Sequence, residues 1–231
     1  MNESYDMESR YPSRLLAPGA SGRTTLIIGS SFTGKTYLLC QELKLIKHFE
    51  YDLIVLFTES VNAEGLESIR QRPDTLIKEG FNSRIPLFLK NLNNKLGLRF
   101  KILLILDDII GQKSSRQSIL GKMITIFRNS DISTCVLLQY PTLIEKHCRS
   151  NFHQVVITGM RSQESNKSLT DRFDRFDILC WAKERMRSEG DTRTHIKNDD
   201  VYNYLKRLLM KNGDVLYIDM KKSLDPALIR L

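Results

Sequence analysis

Thr25-Leu26-Ile27-Ile28-Gly29-Ser30-Ser31-Phe32-Thr33-Gly34-Lys35-Thr36 is the stretch on which the reading of this sequence turns. Its first part is a short apolar run bounded by glycine, the signature of a buried strand. From Gly29 to Thr36 it fits G-x-x-x-x-G-K-[ST], and Tyr37 to His48 continue with helical spacing. A strand, a glycine-bracketed turn and a helix, in that order, make a cradle for phosphate. Gly29 and Gly34 let the turn bend so that the amides of Ser30, Ser31, Phe32 and Thr33 converge, and the helix start adds a positive dipole end. Lys35 is then placed to bridge β- and γ-phosphates, and Thr36 to offer its hydroxyl to a hydrated magnesium ion. The expected ligands are ATP and Mg2+.

Such a loop needs a carboxylate at the end of a nearby strand. Ile102-Leu103-Leu104-Ile105-Leu106 is an apolar run that ends in Asp107-Asp108. Asp107 is expected to hold the metal, directly or through water, and Asp108 to orient or deprotonate an attacking water. In isolation an Asp-Asp strand end is also an ordinary turn or helix-cap signal. A further apolar run, Thr134 to Leu138, delivers Gln139 to the same carboxyl edge, where open α/β folds bind ligand. An amide there can sense a γ-phosphate. Arg128, Arg149 and Arg161 are candidates for an arginine finger, and each reads equally well as a solvated or DNA-facing cation.

Working outward, five strand-like runs emerge: 25–29, 53–57, 102–106, 134–138 and 155–157, separated by stretches able to hold helices. That alternation predicts an α/β, P-loop NTPase fold, with a mainly parallel central sheet and helices on both faces. Residues 1–22 have no hydrophobic periodicity and are expected to form a flexible N-terminal arm, with the ATPase domain over 23–231. Residues 62–100, with Pro73, Gly80, Pro86 and an asparagine-rich patch, look like an insertion near the working edge and read equally well as an ordinary surface excursion. Residues 160–231 are expected to supply C-terminal helices, one from Asp200 to Lys211, and a strand at Val215-Leu216-Tyr217-Ile218.

The chain has 231 residues, enough for one substantial core, and carries 35 Lys plus Arg against 27 Asp plus Glu. The resulting formal charge of +8 favours an anionic partner such as nucleic acid, although it also suffices simply to keep a protein soluble. Cys40, Cys135, Cys148 and Cys180 have no paired spacing and read as buried thiols in a reducing compartment. No apolar run approaches the roughly 20 residues of a membrane span. The start is polar, so neither secretion nor membrane insertion is expected.

The combination of motifs resembles the FtsK/HerA superfamily, and within it the poxvirus-type genome-packaging ATPases of large DNA viruses and related mobile elements. The resemblance spans roughly residues 24–170. Beyond the two acidic and phosphate-loop elements, Arg128 to Gln139 is similar to that family's stretch from an arginine, through a linker and strand, to a sensor glutamine. Cys148-Arg149-Ser150-Asn151 before Val155-Val156-Ile157 is similar to its Arg/Asn element. Asn129 departs from the His or Ala more common after that arginine. The resemblance implies a pentameric or hexameric homo-oligomeric ring that threads double-stranded DNA, hydrolyses ATP at subunit interfaces and meets a capsid or portal component. Two other functions fit the same motifs. One is a helicase or replication-type DNA-dependent ATPase, for which Phe173, Phe176 and Trp181 could stack bases. The other is an ATP-dependent assembly switch or scaffold with little turnover.

Overall fold

A computed structural model describes residues 15–19, 22–62, 64–96, 100–108, 123–124, 127–139, 148, 151–159, 178–211, 214–220 and 227–230. The apolar runs fold as strands because each is flanked on both faces by covering elements. Its alternate residues therefore go to opposite cores. The eight strands are β1 (Thr24–Gly29), β2 (Leu53–Thr58), β3 (Thr75–Glu79), β4 (Ile102–Asp107), β5 (Ile132–Leu138), β6 (Gln154–Gly159), β7 (Asp214–Asp219) and β8 (Ala227–Arg230). They form one sheet in the order β3-β2-β4-β5-β1-β6-β7-β8. The first six pair in parallel, and β7 and β8 extend the sheet antiparallel.

The helices are α1 (Lys35–Leu45), α2 (Glu67–Arg70), α3 (Arg84–Leu96), α4 (Ile178–Ser188) and α5 (Asn198–Lys211). On one face Ile27, Ile54, Leu56, Leu103, Ile105 and Leu137 meet Leu38, Leu39 and Leu43 of α1. On the other, Leu26, Ile28, Val55, Phe57, Leu104 and Leu106 share a core with Leu89 of α3, Ile178 and Ala182 of α4, and Val201 and Leu205 of α5. The period-two alternation of β1, in which Leu26 and Ile28 face one core and Ile27 the other, is what the sequence pattern requires.

Two expectations about boundaries need correction. The stretch 62–100 is part of the fold's own frame: β3 pairs with β2 as the parallel edge of the sheet, and α3 covers one face. Its prolines and asparagines disguised that role. Asn93 is a buried brace whose Nδ2 donates to Phe100 O at 2.9 Å and to Ser130 O at 2.8 Å, tying α3 to the turns before β4 and β5.

The expected flexible arm is also too long, because Leu15 and Leu16 are buried. Their N–H groups donate to Glu42 Oε2, at 2.7 and 3.4 Å, and Tyr51 donates its hydroxyl to Leu16 O. Two leucines that cover apolar surface, with their backbone groups satisfied by buried side chains, explain the docking. Residues 1–14 lie outside the described residues.

The other expected strands and α5 are met within a residue or two, α1 ends at Leu45, three residues before the expected His48, and β8 was not anticipated. Among the described residues no helix is long and apolar enough to cross a membrane. All four cysteines are free; Cys40, Cys135 and Cys148 are buried, whereas Cys180 is exposed on α4.

Candidate active site

The site forms at the carboxyl edge of the parallel strands. The chain leaves β1 toward β2, whereas it leaves β5 in the opposite direction toward β6. This reversal opens a crevice between the ends of β1 and β5, the place where open α/β sheets accept ligands. The strand that carries the acidic pair, β4, lies on the far side of β5.

The phosphate loop is built by tight backbone packing. A Cβ on Gly29 would collide with the hydroxyls of Thr158 and Thr33, so only glycine fits there. The β1/β6 register shifts between Ile28 and Gly29: Ile28 pairs with Ile157 and Gly29 with Gly159, so Thr158 is an extra residue. Such a bulge re-aims a side chain. Here it brings the Thr158 hydroxyl to 2.9 Å from Thr33 Oγ1, which itself donates to Ser30 O at 2.8 Å. Ser30 N–H donates to Gly159 O at 2.9 Å.

Gly34, at φ 88, caps α1 with a backbone that glycine adopts freely. The first turn of α1 carries no acidic residue and no side-chain cap, so its N–H groups and dipole stay available to an anion. Phe32 holds φ 60 and is 90% exposed. Asp108 holds φ 54. For residues with a Cβ these are costly conformations, which the surrounding loop must enforce. Phe49 and Asp131 share this backbone region away from the crevice, so the strain marks turns in general as well as the site.

Lys35 is only 5% exposed. Its ammonium donates to Ser30 O at 3.3 Å and lies 3.9 Å from Asp108 Oδ2. Burial lowers its pKa, opposed by the negative charges of Asp108 and then Asp107. An ammonium carries three donors, so capacity remains for an anion that would replace the water it has lost. Thr36, the second residue of α1, is half-buried beside it.

Asp107 is 6% exposed. Its Oδ2 accepts the Thr58 hydroxyl at 3.3 Å, and its Oδ1 is buried with no hydrogen-bond partner. Asn93 Oδ1 and Thr134 Oγ1 are the other such atoms among the described residues, and only Asp107 Oδ1 belongs to an acid. Its pKa is pushed up to about 6, first by burial and then by the neighbouring Asp108; Thr58 and Lys35 pull it down. A buried carboxylate with an unserved oxygen is unfavourable unless a cation neutralises it. With the Thr36 hydroxyl it makes an all-oxygen donor set, the chemistry magnesium prefers. Among the described residues no group of three or more His, Cys, Asp or Glu side chains gathers for a metal. A cation here would therefore depend on phosphate and water oxygens for the rest of its shell.

Gln139 connects the two halves of the crevice. It accepts the Ser31 hydroxyl on Oε1 at 3.0 Å and donates from Nε2 to Asp108 Oδ2 at 2.9 Å. The structure thus brings together Ser30, Ser31, Lys35, Asp107, Asp108 and Gln139 at one crevice. Of the arginines, Arg128 has its backbone in a short 3-10 turn, Phe127–Ser130, and its side chain lies outside the described residues, as do Arg149 and Arg161 entirely. Phe173 and Phe176 also lie outside them. Trp181 packs partly buried against the core, and the Arg185 guanidinium lies 5.8 Å from its ring centroid, so it is not a free stacking platform.

Sequence reasoning missed Thr58, Thr158 and the bulge at Gly159. Thr58 carried a signal, since it ends an apolar strand that the parallel topology places next to Asp107. Thr158 carried none, because a bulge is not visible in a single strand's pattern.

This sheet order, with a glycine-bracketed lysine loop between β1 and α1 and an acid at the end of β4, is that of a P-loop NTPase. Solved structures agree at the level of fold. The genome packaging NTPase B204 from Sulfolobus turreted icosahedral virus 2, in complex with sulfate, is 12% identical, with 90% of this chain and 96% of that chain covered and a TM-score of 0.56. The same NTPase in complex with ATP-gammaS is 10% identical, with 90% and 97% covered and a TM-score of 0.54. The pCW3 conjugation coupling protein TcpA, in monomer form with ATPgS, is 11% identical, with 91% and 60% covered and a TM-score of 0.52. No family model and no curated protein matches the sequence. What these structures share with the chain is the fold.

Proposed function

We propose that the chain is a magnesium-dependent ATPase that translocates double-stranded DNA, working as a homo-oligomeric ring in viral genome packaging. The observation that carries the chemical part is the meeting of Lys35, Asp107, Asp108 and Gln139 at one crevice, across two different strand ends and a helix start. The loop amides and the bare α1 N-terminus bind the phosphates, and Lys35 neutralises their charge. Thr36 and Asp107 would hold a magnesium ion, which when bound would supply positive charge against the negative charge developing on the transferred phosphate. Asp108, with 34% of its side chain exposed, lies within reach of water and is the group placed to accept its proton. Gln139 orients that carboxylate through its amide.

The DNA part rests on the +8 charge, the motif resemblance and the likeness in fold to a genome packaging NTPase. ATPase activity of the native chain and of Lys35→Ala, each with and without double-stranded DNA, beside a mass measurement in solution, tests the whole. The expected result is a DNA-stimulated activity in an oligomer, reduced at least ~100-fold in the variant. Turnover indifferent to DNA and to assembly would rule out the motor. Stimulation confined to single strands would select a helicase instead.

A further inference from the structure

We propose that Ser31 is a positioning residue that couples occupancy of the phosphate loop to the Asp108 carboxylate through the Gln139 amide. The inference rests on the nucleotide-binding reading above and deepens it. Ser31 and Asp108 belong to different strand ends and are joined by Gln139, whose amide touches both: Ser31 Oγ to Gln139 Oε1 at 3.0 Å, and Gln139 Nε2 to Asp108 Oδ2 at 2.9 Å.

The chemistry of the three groups fixes the direction of the relay. Gln139 turns its NH2 toward Asp108 Oδ2 and its carbonyl toward the loop. Facing a carbonyl, Ser31 must donate, and a hydroxyl has one proton to give. Phosphate oxygens also only accept. A nucleotide drawing on the Ser31 proton therefore takes it from Gln139 Oε1, while Lys35, 3.9 Å from Asp108 Oδ2, is drawn to the same phosphates. Both changes reach Asp108: its amide partner loses the bond that fixed its orientation, and its nearby cation is shared. Filling the loop thus re-sets the carboxylate placed to act on water.

A double-mutant cycle tests this, reading affinity for a non-hydrolysable ATP analogue with magnesium in the native chain, Ser31→Ala, Asp108→Ala and the double variant. The relay predicts that the two single effects fail to multiply, by about threefold or more, and that the coupling vanishes when the cycle is repeated in a Gln139→Ala background. Ser31→Thr, which keeps the hydroxyl, is expected to restore the native values. Where turnover is measurable, Ser31→Ala is expected to lower kcat about tenfold while shifting analogue affinity far less. Independent effects in the cycle would overturn the relay, as would a Thr variant that binds the analogue yet behaves as Ala. A native chain that binds the analogue without hydrolysing it would remove the catalytic reading and leave the cycle to decide the relay; one that binds none would overturn both.

Discussion

Glu42 and Asp107 are carboxylates buried alike, at 4% and 6% exposure. Glu42, on the α1 face, accepts the backbone N–H groups of both Leu15 and Leu16 and thereby fastens the chain's start to the helix that follows the phosphate loop. Asp107, at the sheet edge, has one oxygen served by Thr58 and one served by nothing. Equal burial therefore has opposite meanings. The first acid is satisfied by N–H groups of its own chain; the second, on the function proposed above, is completed by a cation from outside, and its burial costs stability without one.

The comparison yields a graded set of tests. The largest effect is expected on the functional side: Lys35→Ala, which removes the cation beside Asp107 and Asp108, should cut ATP turnover at least ~100-fold while leaving the unfolding midpoint near native. On the structural side, Glu42→Ala leaves two buried N–H groups without their acceptor. It should cost about 2–4 kcal/mol in denaturant unfolding and expose the 15–16 segment to proteolysis.

Asp107→Asn should do the reverse. The folded pKa of Asp107, about 6, lies above the ordinary carboxylate value of 3.8, so the folded state binds the proton more tightly than the unfolded chain. The penalty is absent below the unfolded pKa, grows between the two values and is complete above pH 6. In metal-free buffer at pH 7 the Asn variant should therefore be more stable by about 3 kcal/mol, and this gain should largely disappear near pH 3.8. Thermal unfolding across pH checks both halves. The smallest effect is expected from Thr58→Val, which deletes a single donor to Asp107 and the acceptor of Ser60 N–H, a loss of about 1 kcal/mol or less. It should raise the Asp107 pKa further, because Thr58 is one of the two groups that lower it.

How much of this was legible in the sequence divides along the same line. The strands were readable because both faces are covered, which leaves near-continuous apolar runs. The phosphate loop was readable because its glycines, lysine and threonine are contiguous, and Asp107, Asp108 and Gln139 because each ends such a run. β3 escaped notice as an edge strand, since Leu76, Lys78 and Glu79 of that strand are exposed and it lacks an apolar core pattern. The docking of Leu15 and Leu16 depends on Glu42, Tyr51 and Gln154, which lie far along the chain and carry no local signal. The Ser31–Gln139–Asp108 relay is long-range in the same way. Spacing could place Gln139 at the right edge but not give its amide two partners.

On the function proposed, Asp107 is buried and left with one unserved oxygen because a divalent cation bound with nucleotide completes it. Calorimetric titration of a non-hydrolysable ATP analogue, with and without magnesium, into the native chain and Asp107→Asn tests it most directly. The account predicts that magnesium strengthens binding to the native chain and does little for the variant. An equal magnesium response in both proteins would contradict it.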